Sequence, residues 1–124
     1  MIKGIGTDLV SVERIEKALG KHGDRFAKRI LSPDEYKTFV DHARPANFLA
    51  KRFATKEAAA KSLGTGFSKG VSWQDIQLEH YSSGQPKIVL ANKALEIFNK
   101  MDCQQILLSL SDEEPFVSAF VVIE

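Results

Sequence analysis

Two carboxylates, Asp8 and Glu57, stand in surroundings that are unusual for surface acids. Asp8 lies in an apolar segment just after Gly4 and Gly6, and Glu57 is the only acid among residues 43–70, which carry six cations. A buried carboxylate needs a partner, and two that converge from different elements commonly share a divalent cation such as Mg2+, with phosphate oxygens completing its coordination. The pattern therefore indicates a metal-dependent reaction at a phosphate group. The cations that could hold the phosphates are Arg52, Lys56 and Lys61.

Each of these features also has an ordinary structural explanation, which the spacing alone leaves open. Glu57 and Lys61 could form an i,i+4 pair worth about 0.2–0.5 kcal/mol, and Asp8 could cap the end of a strand. Residues 64–70, GTGFSKG, match neither glycine-rich phosphate-binding signature and follow a helix, so a P-loop is rejected. They predict a helix C-cap followed by a connection whose glycines still allow a nucleotide to approach.

The net charge of +1 conceals a strong segregation along the chain. Residues 1–42 carry eight cations and seven anions, residues 43–70 six cations and one anion, and residues 71–124 three cations and eight anions. The small total disfavours a nucleic-acid binder driven by bulk electrostatics. In the first segment, cations recur at three- and four-residue steps along an amphipathic helical region. This spacing is typical both of a solvent-exposed helix face and of a binding surface. This basic stripe consists of Arg14, Lys17, Lys21, Arg25 and Lys28.

Length and composition favour one globular domain spanning residues 1–124. The chain has 44% hydrophobic and 27% charged residues, close to the globular average, and shows no linker or repeat, so a disordered chain is excluded. No apolar run approaches the about 18 residues of a membrane span, and the first ten residues lack the order of a signal peptide. The single Cys103 excludes an internal disulfide. We expect a cytoplasmic protein with neither membrane nor nucleic-acid partners.

The spacing of apolar residues predicts an α+β fold. Strands are expected at 2–12, 71–80, 86–90, 106–110 and 116–123, with an acidic turn at 112–115 between the last two. Gly4 and Gly6 in the first strand permit the close approach of another backbone. Helices are expected at 33–42, 46–63 and 91–101, with a further helical region, broken by glycines, after the first strand. The helix at 46–63 is the clearest, because it has no internal glycine or proline and ends before Gly64. We expect a mainly antiparallel sheet packed against this long central helix.

Two separated motifs are specific enough to indicate a family. Gly6-Thr7-Asp8 followed by Arg14 forms a GxD…R motif, and residues 52–61, RFATKEAAAK, fit the pattern RFAxKEAxxK. In this order, and in a chain of this length, the motifs resemble the holo-[acyl-carrier-protein] synthase family of the 4'-phosphopantetheinyl transferases. The likeness covers nearly the whole chain. It extends to residues 25–32, 48–50, 64–66, 84–86, 109–111 and 116–124.

The resemblance implies transfer of the 4'-phosphopantetheine arm of coenzyme A to a serine of apo-acyl carrier protein, which leaves adenosine 3',5'-bisphosphate. Asp8 and Glu57 match the family's Mg2+ ligands, and Lys61 matches a residue that contacts the same phosphates or helps the leaving group. Arg52 and Lys56 are candidates for the 3'-phosphate and the pyrophosphate, because a guanidinium can bind a phosphate with two parallel hydrogen bonds. Gly64 and Pro86 match family positions that line the nucleotide pocket. The expected nucleotide-binding residues are Arg52, Lys56, Lys61, Gly64 and Pro86.

The resemblance also gives the basic stripe a partner, because carrier proteins are acidic. Phe26 would be an apolar anchor among charges that speed encounter, although it could equally belong to the core. Family members form trimers whose active sites are shared between subunits, so a homotrimer is expected. The expected docking residues are Arg14, Lys21, Arg25, Phe26 and Arg29.

The last turn of the chain departs from the family pattern. Many relatives read Ser-His-Thr-Lys in the last turn, where residues 111–114 of this chain read Ser-Asp-Glu-Glu. No histidine role can therefore be transferred to this chain. The general base stays open between Glu57, a water held by the metal, and Asp112.

Two other functions remain compatible with the residue pattern. A noncatalytic domain that binds RNA or an acidic protein would use the cations of residues 14–29 and of the helical segment 43–70 and would need no metal. Another Mg2+-dependent enzyme acting on nucleotide phosphates would use the same carboxylate pair. The transferase is the main hypothesis, because its motifs require Asp8, Glu57 and Lys61 together.

Overall fold

The structure of the protein, a computed structural model, describes residues 1–124 and contains five strands and five helices. The strands are β1 (Gly4–Ser11), β2 (Ile76–His80), β3 (Pro86–Leu90), β4 (Ile106–Glu113) and β5 (Phe116–Ile123). The helices are α1 (Val12–His22), α2 (Asp24–Ile30), α3 (Pro33–Val40), α4 (Pro45–Ser62) and α5 (Asn92–Lys100). A short 3-10 turn, Trp73–Asp75, precedes β2.

A three-stranded antiparallel sheet packs against the long helix α4. Its strand order is β1-β5-β4, and β2 and β3 form a separate antiparallel hairpin. This arrangement confirms the predicted α+β class and the mainly antiparallel sheet on a central helix. The core joins small residues of α4 to branched residues of β5, because small side chains let the helix lie close to the sheet. Its fully buried members include Ala54, Ala58, Ala59, Ala60, Val117, Val121 and Ile123.

Two glycines allow the backbone of α4 to rest directly on β1. A Cβ atom at Gly6 would lie 1.9 Å from the carbonyl oxygen of Ala58, and one at Gly4 would lie 2.1 Å from that of Ser62. No side chain tolerates such distances, so only glycine fits at these two positions. The predicted close approach of another backbone to these glycines is confirmed. Because side chains alternate along a strand, Asp8 points to the same side as Gly6, toward α4.

The opposite face of the three-stranded sheet is apolar and exposed. Alternation places Ile5 and Leu9 of β1, Leu107 of β4, and Phe116 and Phe120 of β5 on this outer face. The exposed fraction of these side chains runs from 46% for Phe120 to 67% for Leu9. A single chain therefore leaves a hydrophobic sheet face uncovered.

Most predicted elements are present, and the differences lie mainly at their ends. β3 and β5 have the predicted bounds, and α4 is shifted by one residue from the prediction. The strand predicted at 71–80 is wrong in its first half, because Ser72 and Asp75 cap each other and bend the chain into the 3-10 turn. The predicted acidic turn at 112–115 is also too long, since β4 continues to Glu113. None of the five helices combines the length and apolar character needed to cross a bilayer.

Candidate active site

Asp8, Glu57 and Lys61 come together where β1 meets the second half of α4. Glu57 and Lys61 lie one helical turn apart and face the inner side of β1. The Lys61 ammonium donates hydrogen bonds to the backbone carbonyl of Thr7 at 2.9 Å and to Asp8 Oδ1 at 3.2 Å. The second oxygen of the same carboxylate, Asp8 Oδ2, is buried and has no hydrogen-bond partner. The cluster thus leaves one buried acceptor unsatisfied.

The pKa values of both carboxylates, Asp8 and Glu57, are raised. Burial raises the pKa of Asp8, and the hydrogen bond and charge of Lys61 offset only part of that effect. The pKa of Glu57 is also raised, first by burial and then by the negative charge of Asp8, with Lys61 opposing. The positive charge of the single Lys61 therefore does not compensate the burial of the two carboxylates.

A divalent cation fits this donor set. Mg2+ is usually held by one or two carboxylates, with water and substrate phosphates filling the remaining positions. Asp8 and Glu57 supply the two carboxylates, and Asp8 Oδ2 supplies a free buried lone pair. No group of three His, Cys, Asp or Glu side chains is arranged to hold a metal by itself. A cation here would therefore need oxygens from a substrate or from water.

A cleft of about 270 Å3 opens beside Asp8 and reaches the helices that carry the basic stripe. Its wall includes Arg14 and Phe26, two of the predicted docking residues, together with Asp8 and Phe53. A neighbouring cleft of about 220 Å3 is lined by Arg25, Phe26 and Arg29 with one histidine. These four docking candidates therefore form one continuous region that borders the carboxylates. Lys21 is exposed at the end of α1 and lines neither of these two clefts.

A row of aromatic rings continues from this region across α4. The ring centroids of Phe26 and Phe53 are 6.4 Å apart, those of Phe53 and Trp73 5.1 Å, and those of Trp73 and Phe67 3.8 Å. The last pair is stacked. Phe26 is half-buried, so it packs on Phe53 and still presents part of its ring at the surface. The row connects α2 with the loop that follows α4.

Gly64 lies directly after the C-cap of α4, three residues beyond Lys61. Its amide donates a hydrogen bond to the carbonyl of Lys61 at 2.9 Å, and its φ angle is +77°. That left-handed conformation ends the helix, as the sequence predicts for a C-cap glycine. A Cβ atom at Gly64 would meet nothing within 4 Å, so the backbone is open at this position.

Lys56 takes a different position from the phosphate-binding one predicted from the sequence. It is fully buried, and its ammonium donates to the Ile30 carbonyl at 2.7 Å, to Glu35 Oε1 at 2.7 Å and to the Trp73 carbonyl at 3.1 Å. Burial lowers the pKa of Lys56, and the negative charge of Glu35 opposes this change. All three N–H donors are used inside the protein, so Lys56 has none to offer a phosphate in this arrangement.

Arg52 and Pro86 lie on another side of the molecule from Asp8. Five residues separate Arg52 from Glu57, which is about 140° around the helix axis. The Arg52 guanidinium stacks on the Phe48 ring, 3.7 Å from its centroid, and its buried Nε has no hydrogen-bond partner. Burial lowers the pKa of Arg52, and Glu35 opposes the shift. Arg52 borders a cleft of about 260 Å3 against β2.

The hairpin brings Pro86 to the Arg52 side. Pro86 begins β3 and pairs with His80 at the end of β2. The pKa of His80 is lowered by burial and then by the positive charges of Arg52 and Lys51, so this end of the hairpin lies near both cations. The predicted nucleotide-binding residues therefore form two groups on one chain, Lys61 with Gly64 and Arg52 with Pro86.

Asp112, considered as a general base, is held in an ion pair. Lys51 Nζ lies 3.1 Å from Asp112 Oδ2, and Asn47 Nδ2 donates to both carboxylate oxygens at 3.2 Å. Burial would raise the pKa of Asp112, but these hydrogen bonds and the charges of Lys51 and Arg44 lower it overall. The sequence interpretation missed Asn47 and Lys51, whose i,i+4 spacing on α4 was the available signal.

Comparison with known proteins agrees with the fold. The family model of the 4'-phosphopantetheinyl transferase superfamily matches residues 4–120. The chain therefore belongs to that superfamily of enzymes.

Its relatives within the superfamily are holo-[acyl-carrier-protein] synthases. The one from Halorhodospira halophila is 49% identical over 123 residues, covering 99% of this chain and 98% of its own. The crystal structure of the Neisseria meningitidis synthase is 46% identical and superposes with a TM-score of 0.93, covering 100% of this chain and 99% of that one. The Helicobacter pylori synthase, solved in complex with coenzyme A, is 33% identical with a TM-score of 0.83, covering 97% and 99%. The predicted family and enzyme class are thus confirmed.

Proposed function

We propose that this protein transfers the 4'-phosphopantetheine arm of coenzyme A to a serine of apo-acyl carrier protein, with Mg2+ as cofactor and adenosine 3',5'-bisphosphate as the second product. The observation that carries the proposal is the cluster of Asp8, Glu57 and Lys61, with one buried carboxylate oxygen left unsatisfied. Similarity to the coenzyme A complex of the Helicobacter pylori enzyme supports coenzyme A as the donor.

The reaction joins the serine oxygen to the β-phosphorus of coenzyme A and breaks the bond from that phosphorus to the bridging oxygen of the pyrophosphate. The electron pair of the broken bond leaves on adenosine 3',5'-bisphosphate. A bound Mg2+ would neutralise the phosphate oxygens as charge builds up on them. Asp8 and Glu57 would hold that ion. Lys61, whose ammonium already lies between β1 and the solvent, would donate hydrogen bonds to the leaving phosphate.

The serine proton must pass to a general base, and of the two side chains considered Asp112 is the less suited to accept it. The pKa of Asp112 is lowered, and its oxygens are occupied by Lys51 and Asn47. Asp112 also lies on β4, which β5 separates from β1.

The acidic carrier protein would dock on the cationic surface of α1 and α2. Arg14 and Phe26 line the same cleft as Asp8, so a partner held there would present its serine beside the carboxylates. Arg25 and Arg29 extend this surface, and Lys21 adds a charge at its margin. Complementary charge of this kind mainly speeds the encounter, while the half-buried Phe26 ring supplies an apolar contact.

A homotrimer with active sites between subunits accounts for two further observations. The exposed apolar face of the three-stranded sheet needs a cover, and further copies of the same chain could supply one. Arg52 and Pro86 lie away from Asp8 on a single chain, so they could complete the site of a neighbouring subunit.

The proposal includes the cytoplasmic setting expected from the sequence. The RNA-binding alternative gains no support from the carboxylate cluster, which would repel phosphates in the absence of a metal.

The decisive experiment is a mass measurement on the carrier protein. Incubation of apo-acyl carrier protein with coenzyme A, Mg2+ and the enzyme should add one phosphopantetheine group, and chelation of the metal should stop the reaction. Asp8→Asn should abolish the addition, whereas Asp102→Asn, an exposed acid in the turn after α5, serves as the matched control and should not. A carrier of unchanged mass after incubation with folded wild-type enzyme would refute the proposed function. Full activity of Asp8→Asn would refute the role of Asp8.

A further inference from the structure

Lys56 is the largest fully buried side chain of the protein, and no step of the proposed reaction uses it. Its three hydrogen bonds end on three different elements. They reach the carbonyl of Ile30, the last residue of α2, the carboxylate of Glu35 on α3, and the carbonyl of Trp73 in the 3-10 turn. A charged group with this set of partners fixes several elements relative to α4.

Glu35 extends the same connection. Its Oε1 accepts from the amide of Ser32 at 2.9 Å as well as from Lys56, and its Oε2 accepts from the amide of Leu78 at 3.1 Å. The buried ion pair therefore joins α2, α3, α4, the 3-10 turn and β2. Every hydrogen-bonding position of the lysine and both carboxylate oxygens are occupied within the protein.

Helix α2 depends on contacts of this kind. It has only seven residues, and no side chain caps its N-terminus at Gly23. Such a short helix is not stable alone and must be held by its surroundings. Its C-terminal carbonyls are held by the Lys56 ammonium and by the amide of Gln74, which donates to the Arg29 carbonyl at 2.8 Å. A cation at this end also complements the helix dipole.

Lys56 lies between the carboxylate Glu57 and the docking helix α2. On one side it precedes Glu57 in α4, and on the other it bonds to Ile30, which follows Arg29 and lies one turn after Phe26. A buried ion pair is weak support for stability, since well-packed apolar residues often serve as well. The direction of the bonds is specific, because an ammonium can bind the carbonyl end of α2 and an apolar side chain cannot.

We propose that Lys56 is a positioning residue that holds the docking helix α2 at a fixed place relative to Asp8 and Glu57. This inference rests on the proposed transfer to a carrier protein. It assigns Lys56 an effect on the acceptor substrate rather than on coenzyme A. Displacement of α2 would weaken the contacts of the carrier with the docking residues Arg25, Phe26 and Arg29 that this helix carries.

The test compares Lys56→Met with the double variant Lys56→Met/Glu35→Gln, which leaves no unpaired buried charge. Lys37→Met, the same substitution on the exposed surface of α3, is the control. For each variant the KM of apo-acyl carrier protein, the KM of coenzyme A, the affinity for Mn2+ and the thermal midpoint are measured. Hydrogen exchange of the α2 amides reports directly on the position of that helix.

We expect the KM for the carrier to rise by about tenfold or more in both Lys56 variants, which is the effect of losing about 1.4 kcal/mol of acceptor binding. The KM for coenzyme A and the Mn2+ affinity should stay within about twofold of wild type, a change that corresponds to less than about 0.5 kcal/mol. The α2 amides should exchange faster, while amides of β5 should not. The double variant should regain thermal stability over the single variant and keep the raised KM.

A purely structural role would give a different pattern. The thermal midpoint would fall and less active enzyme would be present, but the carrier KM of the folded fraction would equal that of wild type, and this would overturn the inference. An equal rise in the KM for coenzyme A would overturn it as well, because the effect would not be confined to the acceptor. Wild-type enzyme that adds no mass to the carrier would mark failure of the proposed function and would remove the acceptor that Lys56 is said to position.

Discussion

Replacing Gly6 by alanine tests whether the contact between β1 and α4 sets the geometry of the carboxylates. The new Cβ would lie 1.9 Å from the Ala58 carbonyl oxygen and 2.9 Å from the Ser62 nitrogen. A carbon and a carbonyl oxygen approach to about 3.3 Å, so α4 and β1 must separate by about 1.4 Å at this point. Rotation of a side chain cannot relieve the clash, because the obstructing atoms belong to the helix backbone.

The separation would be transmitted directly to the candidate site. Ala58 follows Glu57 in the helix, and Asp8 lies two residues after Gly6 on the same face of the strand. The two carboxylates should therefore move apart by a similar distance, and Lys61 should lose its contact with Asp8. We expect a loss of about 1–3 kcal/mol in the free energy of unfolding from overpacking. Transfer activity should fall by about 100-fold, the usual cost of a misplacement of this size.

The assay combines Mn2+ binding, thermal unfolding and the mass of the carrier protein. Gly20→Ala is the matched control, because Gly20 lies in α1 with no atom within 4 Å of the position of its Cβ. That substitution should stabilise the protein by up to about 1 kcal/mol, since alanine is the better helix former, and it should leave transfer unchanged. A Gly6→Ala enzyme with wild-type Mn2+ affinity and wild-type transfer rate would show that this contact does not position the carboxylates.

Other expectations follow from the same structure. Burial raises the pKa of Asp8 in the folded state, so the free energy of unfolding falls as pH rises from the unfolded-state pKa through the folded-state pKa of this carboxyl. Asp8→Asn should therefore have a higher thermal midpoint than wild type at neutral pH while it loses Mn2+ binding. A lower midpoint would contradict this expectation. The raised pKa values of both carboxylates should make Mn2+ affinity decline on acidification at a higher pH than for ordinary acids, as a pH series of titrations would measure. Arg14→Glu combined with Arg25→Glu should raise the KM for the carrier and weaken its salt dependence, and a matching change in the KM for coenzyme A would contradict the docking role. Phe120→Lys on the outer sheet face should give monomers in light scattering together with loss of transfer, whereas an active monomer would exclude shared sites.

The sequence predicts those parts of the fold that depend on local patterns. Alternation and turn residues give the bounds of β3 and β5, and uninterrupted helix formers give α4 to within one residue. Gly4 and Gly6 predict a close backbone neighbour, and the structure identifies that neighbour as α4. The 3-10 turn before β2 is missed because its cause, the mutual capping of Ser72 and Asp75, competes with an apolar pattern that reads as a strand.

The sequence is less informative about side chains whose partners are distant along the chain. Lys56 and Arg52 follow the same basic pattern as Lys61, so all three read as phosphate ligands. The structure separates them because α4 turns Lys56 into the core, where its partner Glu35 lies on another helix. Charge type and spacing therefore identify the helix that carries the site, but they do not tell which of its cations face a ligand.

The row of four aromatic rings contains the only tryptophan of the chain, Trp73. Its ring lies between those of Phe53 and Phe67, and the row ends at Phe26 on the docking helix. The protein thus carries a natural fluorophore in contact, through neighbouring rings, with both the proposed acceptor surface and the loop after α4. Its emission offers an optical signal for events at either end, without a label and without interference from a second indole.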